Sequence, residues 1–288
     1  MSRTALLIPA DSYALVTGGS SGIGRHYAEQ LARDYGCNLF LVSNQEKELA
    51  ETAADLQSRF HAEVHTLCLD LAEGDAAQRV FDFSREKGMD VRVLVNNAGL
   101  LIFSPLVATP YAKINTLLEV HTVTLTKLCR LFARHWIDTD PANSGTWARR
   151  RPSRFILNMS SMSAWMAMPG IQCYNATKAY VLGFSKALWY ELRPYGIRVL
   201  AVTPGSTNTG LLPFPEGFAR LLRGAGITME PSTLVRRVLR VLFRSWRKTT
   251  MPGAWNRIIV PVINHLPDRL VFAVMKRLPL FALDRTHE

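Results

Sequence analysis

Two side chains four residues apart have the types needed for acid–base chemistry. Tyr174 and Lys178 occupy positions i and i+4 of a helix-like segment, which places both on one helix face. A tyrosine phenol has an ordinary pKa of about 10, and a nearby ammonium group favours its phenolate form, which suits proton transfer at neutral pH. Because tyrosine and lysine also meet at this spacing by chance, the pair gains meaning only from its surroundings.

A serine cluster lies shortly before this pair. Residues 155–163 read FILNMSSMS, an apolar run that ends in serines. A serine hydroxyl beside the tyrosine can hydrogen-bond a substrate carbonyl oxygen and stabilise the charge that develops there as a hydride arrives. Ser160, Ser161 and Ser163 are the candidates for this role, and capping of a loop is the alternative for Ser160 and Ser163.

A glycine-rich turn near the N-terminus has the context of a phosphate-binding loop. Residues 17–24 read TGGSSGIG, follow a short apolar run and open a helix-like segment. Glycines permit a tight turn and a close approach of the backbone to a pyrophosphate, and the free N–H groups of a helix start favour an anion. An ordinary strand-to-helix turn is the alternative.

The glycine turn resembles the TGxxxGxG pattern of the short-chain dehydrogenase/reductase family, with Thr17, Gly18, Gly22 and Gly24 in the motif positions. Further family motifs follow in the expected order. They are the NNAG of residues 96–99, a serine thirteen residues before the tyrosine of YxxxK, and a PGxxxT segment at residues 204–209. Together these motifs cover roughly residues 13–209, about two thirds of the chain, and four ordered motifs are a strong signal.

The resemblance implies a role for each central residue. Tyr174 would be the acid/base, Lys178 would tune it and bind the nicotinamide ribose, and Ser161, at the family's spacing, would stabilise the reacting oxygen. Classical members carry a helix asparagine that holds a water relay to the lysine, whereas His121 stands at the matching place here. A lone helix histidine is more often a packed residue, but His121 could still bond a water.

The choice of cofactor depends on the end of the second strand. An acidic residue there selects NAD, because its carboxylate binds the ribose 2′-hydroxyl and repels a 2′-phosphate. This chain has Ser43 and Asn44 instead, so we predict NADP(H), with NAD as the alternative. Arg25 and Lys47 are possible charge partners for the phosphate, or simply solvated helix residues. The resemblance implies that Asp70, at the end of another predicted strand, contacts the adenine. From the residue alone, a loop or helix-capping role is the better interpretation.

The predicted cofactor-binding residues come from these motifs and their neighbours. They are Thr17, Gly18, Ser20, Ser21, Gly22, Ile23, Gly24, Ser43, Asn44, Asp70, Leu71, Asn97, Ala98, Gly99, Tyr174, Lys178, Pro204, Gly205, Thr207 and Thr209.

The elements that must position these residues alternate along the chain. Strand-like runs at 13–17, 39–42, 64–69, 91–95, 155–159 and 197–202 are separated by helix-like segments at 23–35, 46–60, 75–87, 112–136 and 174–192. Alternation of this kind predicts a doubly wound α/β fold of the Rossmann type, a parallel sheet with helices on both faces. We expect one catalytic domain over residues 1–250, with an exposed insertion at 138–153 and a substrate loop at 205–230, and an irregular C-terminal extension at 251–288.

Composition limits the class of protein. With 48% hydrophobic and 20% charged residues, the chain is typical of an ordered globular protein. Its 34 Lys+Arg against 23 Asp+Glu favour anionic partners, but no nucleic-acid-binding module is recognisable. The four scattered cysteines show no CxxC pairing, so we expect reduced thiols, no metal site and a cytoplasmic protein. The apolar run in residues 1–11 is too short for a signal peptide, and basic residues interrupt every candidate membrane span.

The C-terminal third suggests an apolar substrate and a possible surface for it. The substrate loop is rich in leucine and phenylalanine, and the tail loosely resembles those of the 17β-hydroxysteroid dehydrogenase and 3-ketosphinganine reductase branches. A cationic amphipathic helix at about 232–247 would either dock on anionic lipid or pack its apolar stripe on the sheet, and packing is the commoner case. We predict an oxidoreductase acting on a ketone or secondary alcohol, which the resemblance implies is a homo-oligomer. The alternative is a nucleotide-binding scaffold with little turnover.

Overall fold

Seven parallel strands form the sheet on which the described part of the chain is built. The computed structural model describes residues 8–9, 11–139, 152–166, 170–205, 228–265 and 267–276, with side chains omitted at 254, 255, 259, 261, 263, 264, 271, 274 and 275. The strand order is β3-β2-β1-β4-β5-β6-β7, so the chain crosses from one edge to the middle and then continues towards the other edge. This is the doubly wound α/β fold predicted from the alternation of elements, with strand β7 added to it.

The bounds of the elements follow the predicted ones within a few residues. The strands are β1 (Tyr13–Thr17), β2 (Asn38–Ser43), β3 (Val64–Cys68), β4 (Val91–Asn96), β5 (Arg154–Met159), β6 (Ile197–Val202) and β7 (Thr249–Thr250). The helices are α1 (Gly22–Tyr35), α2 (Glu46–Phe60), α3 (Ala76–Glu86), α4 (Tyr111–Leu118), α5 (Leu125–Thr139), α6 (Gln172–Leu192), α7 (Pro231–Arg244), α8 (Ala254–His265) and α9 (Asp268–Met275).

The alternating side chains of each strand supply two separate cores, one on each face of the sheet. In β1, Ala14 and Val16 point to one core, and Tyr13 and Leu15 point to the other. Helices α1, α2 and α7 cover the first core, and α3, α5 and α6 cover the second. Because both faces are buried, the strands are almost continuously apolar, as parallel strands generally are.

The single long helix predicted at 112–136 is interrupted. One turn of π-helix, Glu119–Thr124, separates α4 from α5. A π-turn inserts an extra residue into the helical repeat and often marks a functional site. His121 lies in this turn and is buried.

The basic helix is a core element. It ends at Arg244 rather than near residue 247, and its apolar stripe is completely buried against the sheet. The stripe consists of Leu234, Val235, Val238, Leu239, Leu242 and Phe243. The packing alternative is therefore the correct one for this stripe, while the arginines of α7 remain exposed.

The C-terminal extension is helical where the structure describes it. Our expectation of an irregular extension is wrong there, because α8 and α9 follow β7 directly. Most of the predicted insertion and of the substrate loop lies outside the described residues, in 140–151 and 206–227, and so do Thr207 and Thr209. Within the described ranges, no helix is both long enough and apolar enough to span a bilayer.

Candidate active site

The predicted catalytic residues meet at the carboxyl end of the sheet. Ser161 follows β5, and Tyr174 and Lys178 lie in successive turns at the start of α6. The Lys178 ammonium group donates to the Met159 carbonyl at 3.0 Å, so α6 is tied to the end of the serine strand. The Tyr174 phenol is hydrogen-bonded to the Ser161 side chain. The structure therefore brings all three side chains into one cluster.

Hydrogen bonds separate the three serines by role. The Ser160 hydroxyl is buried and donates to the Lys178 carbonyl at 2.7 Å, which gives this serine a structural task. Ser163 is also buried, and its backbone N–H donates to the Ser161 hydroxyl oxygen at 3.2 Å. Ser161 caps the short 3₁₀ helix Met162–Trp165 and is the one partly exposed serine of the three. Its hydroxyl is therefore the one placed to meet a substrate.

The electrostatics of the pair differ from the sequence-based expectation. Burial raises the pKa of the Tyr174 phenol above its ordinary value, and the hydrogen bond with Ser161 lowers it only in part. Burial also lowers the pKa of Lys178 to about 8. Our expectation that a nearby ammonium group would favour the phenolate is wrong for this state, because burial of the tyrosine favours its neutral form. At neutral pH the Tyr174 phenol carries its proton, and Lys178 carries its charge in most molecules.

His121 is neutral, and both of its ring nitrogens bond to the protein. Nε2 accepts the backbone N–H of Leu100 at 3.0 Å, so this nitrogen carries no proton. The Thr177 hydroxyl donates to the Tyr174 carbonyl, and its 2.9 Å contact with Nδ1 must therefore use the Nδ1 proton. Burial and the Lys178 charge hold the pKa of His121 well below its ordinary range.

The same histidine links three elements around the tyrosine. Its ring meets the Tyr174 ring edge-on, with centroids 5.6 Å apart. A side chain at Gly99 would collide with Nε2, so the loop after β4 closes directly over the imidazole. His121 thus joins the π-turn, the loop after β4 and the first turn of α6. This arrangement gives His121 a positioning geometry, with no ring nitrogen left to bond a relay water.

The glycine turn is shaped to bring the backbone close to a ligand. Gly18 and Gly22 have φ angles of 64° and 52°, which other residues adopt at a cost. A side chain on Gly24 would strike the Gly18 carbonyl, so α1 can begin this close to β1 only with glycine. Ser21 precedes α1 without a side-chain cap, which leaves the first N–H groups of the helix to an outside acceptor. Ser20 and Ile23 lie in the same turn.

Thr17 and the NNAG residues hold this edge of the sheet together. The Thr17 hydroxyl oxygen accepts the backbone N–H groups of Asn97 and Ala98, each at 3.0 Å. The Asn97 amide donates back to the Thr17 carbonyl at 3.0 Å. Asn96, just before them, donates to the Asn158 side chain at 2.8 Å within the core. In this structure, Thr17 and Asn97 therefore set the position of the glycine turn.

A ring of three hydrogen bonds lies at the end of β2. The Gln45 backbone N–H donates to the Ser43 hydroxyl oxygen at 3.2 Å, Ser43 and Ser20 share a bond of 2.9 Å, and Ser20 donates to the Gln45 side chain at 2.8 Å. Asn44 lies exposed beside this ring. Gln45 was not among the predicted site residues, since its partner Ser20 is distant in sequence. The sequence feature that could have indicated Gln45 is its position just after β2, a strand that ends without an acidic residue.

Arg25 and Asp70 bond to neighbouring groups, whereas Lys47 lies exposed in the first turn of α2. Arg25 bonds to Asp55 at 3.0 Å, in a surface network of ion pairs that draws it away from β2. The Asp70 carboxylate accepts the Ala72 N–H at 2.9 Å, as the loop alternative predicts. Asp70 is nevertheless exposed at the carboxyl end of β3, and the neighbouring Leu71 is buried.

The Pro204–Gly205 segment adjoins the serine loop. The Pro204 carbonyl accepts the backbone N–H of Met162 at 2.8 Å, directly after Ser161. Gly99, after β4, lies on the other side of the cluster and beside Lys178. A side chain on Gly99 would come within 3.6 Å of the Lys178 ammonium nitrogen. Segments 99–100 and 204–205 therefore flank the catalytic cluster.

Comparisons with known proteins agree with this geometry. The sequence model of the family described as short chain dehydrogenase matches residues 12–214. The very-long-chain 3-oxoacyl-CoA reductase of Bos taurus is 28% identical over 91% of this chain and 78% of its own. Sulfoacetaldehyde reductase 2 of Chromohalobacter salexigens is 33% identical over 68% of this chain and 72% of its own. A short-chain dehydrogenase from Sphingobium yanoikuyae, solved in complex with NADPH, is 30% identical, with a TM-score of 0.72 over 93% of this chain and 96% of its own.

Replacing the buried lysine should stabilise the fold while removing its charge. Lys178→Met keeps length and helix propensity, and we expect the free energy of unfolding at pH 7 to rise by roughly 1–3 kcal/mol. Because the folded pKa of about 8 lies below the ordinary 10.5, the wild-type penalty is complete below pH 8 and disappears as pH rises towards 10.5. The gain should therefore shrink over that interval in urea titrations.

The matched control is Lys113→Met, on the exposed surface of α4. This variant should show no pH-dependent gain. A Lys178→Met protein that is less stable than wild type at pH 7, or whose difference does not change with pH, would show that the buried ammonium carries no such penalty.

Proposed function

Since this chain belongs to the short chain dehydrogenase family, we propose that it is an NADP(H)-dependent oxidoreductase that interconverts a ketone and a secondary alcohol. The observation that carries the proposal is the meeting of Ser161, Tyr174 and Lys178 at the carboxyl end of the sheet, next to a glycine turn with uncapped helix N–H groups. Open α/β sheets bind their ligands at this edge.

In the reductive direction, Ser161 and Tyr174 act on the substrate oxygen, and Lys178 acts on Tyr174. The hydride is the chemistry that a bound nicotinamide supplies. Ser161 donates a hydrogen bond to the oxygen as negative charge develops there, and Tyr174 transfers its phenolic proton to it. The raised pKa of Tyr174 keeps that proton available at neutral pH. The nearby Lys178 ammonium, 5.4 Å from the centre of the tyrosine ring, then stabilises the phenolate that forms.

The residues present fit a dinucleotide. Gly18, Gly22 and Gly24 leave room for a pyrophosphate against the backbone, and the start of α1 supplies N–H donors. The ring of Ser20, Ser43 and Gln45 presents hydroxyl and amide groups where the ribose 2′-position is read, with Asn44 beside it. No carboxylate belongs to this ring, which favours a 2′-phosphate. NAD remains the alternative cofactor.

An apolar substrate is favoured by two lines of support. The relative from Bos taurus is named for very-long-chain 3-oxoacyl-CoA, and the described residues beside the site include the exposed apolar side chains Phe103 and Trp165. We therefore propose a lipid-like or steroid-like ketone or alcohol. The relative from Chromohalobacter salexigens is named for the small, polar sulfoacetaldehyde, so a substrate panel should contain both kinds of compound.

The scaffold alternative is disfavoured by the same cluster. A protein without turnover has no need to bury Lys178 at an unfavourable pKa beside Tyr174. Nucleic-acid binding is supported only by the net charge of +11. The homo-oligomer implied by the family stays a prediction.

Peripheral contact with a membrane also remains a proposal, but the surface proposed for it is no longer helix α7. The apolar stripe of α7 is buried, so it cannot enter lipid. Four exposed apolar residues lie instead on α8 and α9, together with exposed cations. They are Ile258, Val262, Leu270 and Phe272, with Arg257, Arg269 and Lys276. Such a surface suits anionic lipid.

Removing the proposed proton donor should abolish turnover without disturbing cofactor binding. For Tyr174→Phe we expect kcat with the best ketone of the panel to fall by about 10²–10⁴-fold, while the Kd for NADPH stays within a few-fold. NADPH absorbance measures the first quantity and fluorescence titration the second. Near-normal turnover in a folded Tyr174→Phe protein would overturn the assignment.

An acid at the end of β2 should reverse the cofactor preference. In Ser43→Asp the carboxylate would repel a 2′-phosphate, and we expect the ratio of kcat/KM for NADPH over NADH to fall on the order of tenfold or more. Because Ser43 is buried and could disturb folding, Asn44→Asp tests the same point at an exposed position. An unchanged ratio in both variants would exclude this strand end as the selector.

Sedimentation with vesicles tests the lipid surface. We expect the protein to pellet with anionic vesicles at low salt, to be released at high salt and to stay in solution with neutral vesicles. Phe272→Asp should weaken the binding, whereas Lys113→Met, on α4, should leave it unchanged. Equal recovery in the supernatant with both kinds of vesicle would end the hypothesis.

A further inference from the structure

The C-terminal extension sends one buried polar side chain towards the site. Asn256, in the first turns of α8, is 3% exposed. Its side-chain amide lies directly over Gly205, and the three atoms nearest to a side chain built on that glycine all belong to Asn256. The position lies beyond residues 12–214, which the family model matches. Gly205 can therefore accommodate no side chain while Asn256 is in place.

Gly205 belongs to the backbone that adjoins the catalytic serine. The Pro204 carbonyl bonds to the N–H of Met162, next to Ser161, and the Thr203 N–H donates to the Thr250 carbonyl at 2.9 Å. Helix α8 also contacts the 3₁₀ helix that Ser161 caps. The C-terminal segment thus packs against segment 203–205. Asn256 is the residue of that segment that contacts Gly205.

The hydrogen bonding of Asn256 is incomplete. Nδ2 donates to the Pro252 carbonyl at 2.9 Å, which fixes the orientation of the amide. Gly253, with φ of 98°, makes the turn that admits the side chain. Oδ1 is buried and has no hydrogen-bond partner among the residues that the structure describes. An apolar side chain of equal size would fill the space without burying an unpaired acceptor, so the amide indicates a task beyond packing.

We propose that Asn256 is a positioning residue for the part of the site that receives the nicotinamide half of the cofactor. It holds Gly205 against the serine loop and offers Oδ1 as an acceptor to an amide donor that arrives with the nicotinamide half of the cofactor. The inference rests on the proposed function and extends it to the C-terminal helix. It makes α8 part of the site, because the acceptor comes from that helix.

The contact itself is tested by a double-mutant cycle read by thermal unfolding. Gly205→Ala should lower Tm in the wild-type background, where the new methyl group meets Asn256, and should cost much less in the Asn256→Ala background. Equal costs in both backgrounds would overturn the contact. This readout does not depend on any enzymatic activity.

The role is tested by binding. Asn256→Leu keeps the packing volume and removes the acceptor, so we expect the Kd for NADPH to rise roughly tenfold. The Kd for 2′,5′-ADP, which lacks the nicotinamide half, should stay within about twofold of wild type. Asn115→Leu, the same change at an exposed position of α4, is the matched control and should change neither Kd.

An equal change for both ligands, or no change for either, would overturn the positioning role. Wild-type protein that binds neither ligand would instead overturn the proposed function and the role with it. The unfolding cycle would still report the packing of Asn256 on Gly205 in that case.

Discussion

A buried ammonium group is the constraint on which the site depends. Lys178 is removed from water, and its Nζ is held by the Met159 carbonyl at 3.0 Å while the Lys178 carbonyl receives the Ser160 hydroxyl. These two bonds fix α6 against the end of β5, and the cost of desolvating the charge appears as the lowered pKa of about 8. The proposed role of Lys178 beside Tyr174 would explain this cost, as the trade-off between stability and activity leads one to expect.

The helix interruption at Glu119–Thr124 serves the same cluster. A regular helix would carry the side chain of residue 121 to another direction, whereas the π-turn points the imidazole between Leu100 and Thr177. A neutral histidine with both nitrogens bonded is rigid, and its edge-on contact restricts the Tyr174 ring. His121 thus gives geometric support where classical family members have an asparagine, without contributing charge.

Helices from the first and the last third of the described chain lie close to the candidate site. Helix α7 closes the face of the sheet that also carries α1, so the cationic helix contributes to the same core as the glycine turn. Helix α8 reaches the opposite side of the site and packs Asn256 on Gly205. The C-terminal third therefore contributes both stability and a wall of the site, although it lies largely outside the family motifs.

The sequence alone determined the parts that rest on local patterns. Apolar runs and helical spacing predicted the strands β1 to β6 and the helical segments between them. The motif spacing of the family singled out Ser161, Tyr174 and Lys178. Tertiary structure decided what depends on partners distant in the chain. The direction of the Tyr174 pKa, the pairing of Gln45 with Ser20, the burial of the α7 stripe and the place of Asn256 all follow from packing between elements. Desolvation and long-range hydrogen bonds exist only once the chain has folded, so no local pattern encodes them.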